Sequence, residues 1–230
     1  MKQNRIFGLI LMIMALVACK NAPQEEQDLK STENEEVKTV VTESSIQPEV
    51  TTVLNANLAT EADLVGLGLS TEMISQIIEN RPFLTMNAFD ALLQNDNKEE
   101  LYKKIFVPFN LNTTAEADFK MIPGVGNRMA HEFEEYRPYT SVKQFRKEIG
   151  KYVDEEEVER YLNYVFVPVE LNTASEEDIK ALPGVGSRMA HEFEEYRPYE
   201  SLVKFRKEIS KYVDDKELKR LERFVYIKDK

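Results

Sequence analysis

The sequence predicts an all-α fold: tandem copies of a helix–tight turn–helix unit, preceded by a leader and an unstructured tether. Three observations predict it. First, Leu182-Pro183-Gly184-Val185-Gly186-Ser187-Arg188-Met189-Ala190 repeats Ile122-Pro123-Gly124-Val125-Gly126-Asn127-Arg128-Met129-Ala130. Second, the apolar residues after each glycine turn, such as Met189, Ala190, Phe193 and Tyr196, fall at helical spacing. Third, residues 21–53, just before the repeats, have no aromatic residue and no hydrophobic period.

In chain order, Lys2 and Arg5 precede an apolar run from Ile6 to Val17. The run is short of the ~20 residues of a membrane-spanning helix and has the form of a signal-peptide core. Leu16-Val17-Ala18-Cys19 resembles a bacterial lipobox. That resemblance implies a lipoprotein signal peptide over residues 1–18 and lipidation of Cys19. The mature protein is then expected outside the cytoplasm, held on a bacterial membrane by its acyl chains without spanning it. Lys20, in place of an aspartate after the cysteine, favours the outer membrane. Cys19 is the only cysteine, so no intramolecular disulfide forms and folding rests on packing. Residues 19–53 read as a disordered acidic tether: from Lys20 to Val53 there are eight acidic residues against three lysines, a net −5.

Three units follow, at residues 54–109, 110–169 and 170–230. The last two are near copies, and the first is degenerate. Its turn is Leu67-Gly68-Leu69-Ser70, without the proline and second glycine, and Glu72 stands where the others have arginine. In the third unit, Ser175 to Asp178 has the form of a capping signature before a helix from about Glu176 to Leu182. The helix after the turn ends near Tyr196, because Pro198 disfavours helix at Arg197. Two more helices are expected, over about 202–209 and 214–224. Val165 to Val169 and Phe106 to Phe109 are short apolar connectors, so neighbouring units should pack together. A lone unit of this size without disulfides is marginal.

The turns carry the functional reading. Gly-x-Gly lets the backbone bend sharply and aims N–H groups outward at the positive end of the following helix, a place suited to phosphate. The opening LNTAS-EED-I-ALPGVG-R-A, with Tyr-Arg near the helix end, resembles the helix-hairpin-helix family, specifically ComEA-type competence DNA receptor domains. The resemblance covers residues 111–230 well and 54–109 poorly. It implies SAM-like units whose hairpins pair in pseudo-twofold symmetry and grip phosphates across the minor groove without reading sequence. Carried over, the phosphate contacts are Gly124, Val125, Gly126 and Arg128, with Gly184, Val185, Gly186 and Arg188. The second hairpins fall near Gly150-Lys151-Tyr152-Val153 and Ser210-Lys211-Tyr212-Val213 and lack Gly-x-Gly.

Charge pulls the other way. The chain carries −11 overall; residues 110–169 hold eight basic and eleven acidic groups (−3), and residues 170–230 hold thirteen and fourteen (−1). Screening over roughly 8 Å at physiological salt leaves room for a local basic patch. Lys143, Lys147 and Lys151, with Arg146, and Lys204, Lys207 and Lys211, with Arg206, are expected to share exposed helical faces. They serve either as auxiliary DNA contacts or to balance nearby glutamates. Glu132, Glu134 and Glu135 would oppose phosphate unless turned away. His131-Glu132 is not a zinc-protease signature, since Glu135 and not histidine follows four residues on. No nucleophile–base set or Walker loop can be assembled, so the sequence predicts no enzyme, no cofactor and no metal. The partner is expected to be DNA, held weakly and non-specifically, or, if the fold has lost that role, a protein bound by a structural scaffold.

Overall fold

The computed structural model describes residues 52–93 and 98–228. The predicted signal peptide, Cys19 and nearly all of the tether lie outside the described residues. The chain is mostly helical, with twelve helices and six two-residue strands among the described residues. No helix among them is long and apolar enough to cross a membrane.

The elements fall into three similar sets. The first runs β1 (Leu54–Asn55), α1 (Glu61–Gly66), α2 (Thr71–Glu79), α3 (Met86–Asp90), α4 (Lys98–Tyr102) and β2 (Ile105–Phe106). The second runs β3 (Phe109–Asn110), α5 (Glu116–Phe119), α6 (Asn127–Glu135), α7 (Val142–Ile149), α8 (Glu155–Tyr161) and β4 (Val165–Phe166). The third runs β5 (Val169–Glu170), α9 (Glu176–Lys180), α10 (Ser187–Glu195), α11 (Leu202–Ile209), α12 (Asp215–Glu222) and β6 (Val225–Tyr226).

The all-α expectation is met by the helices and corrected at the connectors. The first and last strands of each set pair in parallel: β1 with β2, β3 with β4, β5 with β6. Parallel neighbours need a long crossover, and here four helices supply it. Each pair therefore ties the ends of its unit together.

Local sequence explains the helix starts. Ser175 opens α9 and accepts from the Asp178 amide at 3.1 Å; Ser141 does the same for Gln144 at the start of α7. α7 and α11 each turn a phenylalanine and an isoleucine inward, Phe145 with Ile149 and Phe205 with Ile209. Each carries Arg-Lys in its last turn, which suits the negative end of the helix dipole.

The Tyr-Arg-Pro-Tyr segment closes each intact unit. Tyr139 and Tyr199 are fully buried, and burial pushes both phenols well above the usual range. The Asn112 side chain accepts from the Tyr139 amide at 2.7 Å and donates to its carbonyl at 2.8 Å. Arg137 donates to the carbonyls of Leu111 and Thr114. Asn172, Tyr199 and Arg197 repeat these bonds.

Units also pack on one another, as the connectors suggested. Phe106 meets Phe109 and Tyr164 edge to face at 5.2 and 5.0 Å. Arg223 donates to the Pro108 carbonyl at 2.9 Å. Burial, and then the neighbouring Arg220 charge, lowers the Arg223 guanidinium to about 10.

Candidate functional site

Two glycine turns lead into α6 and α10. Pro123 and Gly124 occupy the centre of a tight turn closed by a 3.0 Å bond from the Val125 amide to the Ile122 carbonyl. Proline followed by a glycine at φ 80° is the type II arrangement. Gly184, at φ 72°, repeats it, and the Val185 amide reaches Leu182. This corrects the expected role of Val125 and Val185. Their side chains are buried, and their amides are already bonded inside the turn, so neither faces an anion.

The amides that do face outward come next. Gly126 is the N-cap of α6, and Gly186 is the N-cap of α10, and neither helix has a side-chain cap. The N–H groups of Gly126, Asn127 and Arg128 have no protein acceptor among the described residues. The same holds for Gly186, Ser187 and Arg188. All six residues are exposed. The first turns of both helices contain no acidic residue.

The other turns differ at this point. In the degenerate first unit Gly68 keeps φ 75°, but Ser70 caps α2 and takes the Met73 amide at 3.2 Å. The second hairpins of the intact units close on carboxylates: Asp154 accepts from Glu157 at 2.9 Å and Asp214 from Glu217 at 2.8 Å. Behind them the first turn of α8 holds three acidic residues, and that of α12 holds two.

Arginines flank the open turns. Arg128 and Arg188 are exposed and have no carboxylate within ion-pair distance among the described residues. The Arg128 guanidinium lies 5.7 Å from the centre of the Tyr152 ring. Two further arginines escaped the sequence reading. Arg220 is fully buried and donates to the Pro183 carbonyl at 2.6 Å. Arg160 lies beside Gly124 in the second unit, where a side chain on that glycine would meet its guanidinium at 3.4 Å. Each is held by a glutamate three residues earlier, Glu217 and Glu157, at 2.6 Å. Their equivalent places in the two copies were the available signal.

The glutamates that follow the turns are buried or paired. Glu132 and Glu192 are buried. Glu134 pairs with Arg137 at 3.2 Å and Glu194 with Arg197 at 3.1 Å. Glu135 faces His131 at 3.6 Å, and Glu195 faces His191 at the same distance. His131 also meets Glu116 at 3.3 Å, and that hydrogen bond raises its imidazole above the ordinary histidine value.

The predicted basic faces are met in part: Lys143, Arg146 and Lys147 are exposed on α7, and Arg206 and Lys207 on α11. α7 stops at Ile149, so Lys151 leaves the helix; it pairs with Glu148 and covers the Tyr136 ring. Lys211 does the same with Glu208 and Tyr196. Lys147 stands 3.4 Å from Glu148, Arg146 binds Glu159 at 2.6 Å, and Arg206 binds Glu222. Lys204 donates to the Pro198 carbonyl at 2.7 Å. Lys143 and Lys207 are exposed. No group of three or more His, Cys, Asp or Glu residues that could hold a metal ion occurs among the described residues.

The open turns also differ in their neighbours. Gly184 lies against Leu58 of the first unit, whose side chain stands where a β-carbon on this glycine would project. Pro123 and Gly124 instead border a cleft of about 1060 Å³ between the first and second units.

Residues 165–226 match the family model of the helix-hairpin-helix motif. No curated protein and no solved structure matches the chain.

Proposed function

We propose that this chain binds the sugar-phosphate backbone of DNA non-specifically, through the glycine turns that open α6 and α10. On this reading all three units are tandem helix-hairpin-helix (SAM-like) units of the ComEA type, and the first has lost its anion site. The chain acts outside the cytoplasm in DNA capture or uptake, anchored to the outer membrane by lipid on Cys19.

One observation carries the reading. α6 and α10 leave their first-turn amides open, beside an exposed arginine and with no acid in the same turn. That combination attracts an oxyanion. The match of the third unit to the helix-hairpin-helix motif, a motif common in nucleic-acid binding, supports the same ligand. Net negative charge weakens the contact without forbidding it, since the nearest glutamates are buried or paired. The first unit supports a second role, contact with a protein. Leu58, Val65, Ile78 and Leu84 are exposed there.

The first unit also supplies the test. Gly126→Ser with Gly186→Ser copies Ser70, giving each helix an oxygen of its own in place of the ligand. Both glycines have negative φ and open space around them, so serine fits. The unaltered chain from residue 20 onward should retard DNA in a gel-shift, with log affinity falling against log salt at a slope of about −2 to −4. The double variant should fold normally by circular dichroism and lose retardation. Absence of retardation for the unaltered chain at low salt would hand the case to the protein-contact role.

A further inference from the structure

We infer that the cleft between the first and second units is a docking site for a basic, extended segment of a partner protein, which seats a leucine-like side chain against Gly124. The inference stands apart from the nucleic-acid reading.

The third unit shows what such a turn accepts. Gly184, at φ 72°, has the Leu58 side chain of the first unit where a β-carbon would project, and Arg220 stands 3.2 Å from the same point. Gly124 has the same turn, at φ 80°, with Arg160 in the place of Arg220. There the apolar neighbour is missing. Among the described residues beyond its chain neighbours, only Arg160 comes within 4 Å of that point, and the turn borders the cleft of about 1060 Å³. Pro123, Val153 and Tyr164 give the cleft apolar lining. The two places are built alike, and one of them lacks its leucine.

Charge decides what kind of chain enters. Glu99, Asp154, Glu156, Glu157 and Glu159 line the cleft against two cations, Lys103 and Arg160. Arg160 is held by Glu157, Lys103 by Glu100, and Glu159 by Arg146. Glu99, Asp154 and Glu156 are exposed and have no ion-pair partner among the described residues. The third unit, a near copy, has Lys216, Lys219 and Arg223 at the positions of Glu156, Glu159 and Asn163. The acidity therefore belongs to the open cleft and is not a general feature of the repeat. Complementary charge selects the partner, and here it selects lysine or arginine beside the apolar anchor. The chain's own preceding segment is a poor occupant. Val53 lines the cleft, but residues 40–51 carry two glutamates and no lysine or arginine.

The test measures binding of the labelled peptide Lys-Lys-Asn-Leu-Ala-Lys-Lys to the chain from residue 20 onward, by fluorescence anisotropy at low salt. The peptide sets the sequence of Asn57-Leu58-Ala59 between lysines. It should bind saturably. Serine in place of its leucine should weaken binding about tenfold, the size expected for one buried leucine side chain. Glu99→Lys with Glu156→Lys should weaken binding by about threefold to tenfold, as two exposed charge contacts are reversed. Lysine at position 156 copies Lys216, so the fold should persist, and circular dichroism checks it. No binding of the peptide, the result expected if residues 40–51 fill the cleft, overturns the inference. Equal binding of the leucine and serine peptides overturns it, since charge alone then holds them. Unchanged binding by the double variant places the peptide elsewhere and also overturns it. A dimer in sedimentation velocity that the double variant dissolves gives the cleft to a second copy, with the same consequence.

Discussion

Gly124 and Gly126 are separated by one residue and meet different demands. Gly124 sits at φ 80° and Gly184 at φ 72°, where a β-carbon is strained. Gly126 and Gly186 have ordinary extended angles and nothing nearby. Their glycine leaves the helix start open, which the backbone angles alone do not require. Gly124→Ala should therefore cost about 1–2 kcal/mol in urea unfolding. Gly184→Ala should cost more, since Leu58 lies in the way. A Gly126→Ser change should leave stability nearly unchanged, because serine caps helices at least as well as glycine. Equal losses at Gly124 and Gly126 would contradict this division. The pair of glycines was legible in the sequence; the division between them was not. Which amide the turn consumes depends on turn type, and so Val125 and Val185 were assigned to a ligand they do not face.

At the scale of the element, helix starts were legible because capping is local. Ser175 to Asp178 announces α9, and α11 spans the residues its periodicity indicates. The strands were not legible. Two residues such as Val165-Phe166 show no alternation, and their partners lie a whole unit away. Burial of Glu132 and Glu192 was hidden as well, since a carboxylate is ordinarily an outward residue. One asparagine near the start of each unit was not singled out in the sequence, yet it holds the segment that precedes the unit's third helix. Asn57 bonds Phe83, Asn112 bonds Tyr139 and Asn172 bonds Tyr199, each through an amide and a carbonyl. Asn172→Ala strips two backbone groups of their partners and should cost about 1–3 kcal/mol in urea unfolding. Asn172→Asp keeps only the accepting half and should fall between. A negligible loss for alanine would mean that water replaces the side chain without penalty.

Across the whole molecule, packing divides unevenly among the units. The first two share one continuous apolar core, from Ala56 to Val167, while the third has its own. The strand entering the last connector stitches the two together. Val165 and Val167 face the shared core, and Phe166 between them faces the third, as alternation along a strand demands. Phe166 meets Phe224 edge to face at 4.7 Å, with Arg223 over its ring at 5.4 Å. Arg223 in turn reaches back to Pro108, so one ring and one guanidinium bridge the third unit to the others. Stability in a repeat array is a sum of unit terms and neighbour terms, and Phe166 belongs to both. Phe166→Ala should cost about 3–5 kcal/mol where it packs. It should also uncouple the units, and hydrogen exchange reads that directly. Amides of α10, α11 and α12 should lose protection first, while those of α6, α7 and α8 keep most of theirs. Uniform loss from residue 54 to residue 226 would show that the two cores unfold as one body, and that the third unit's turn cannot open independently of the second's.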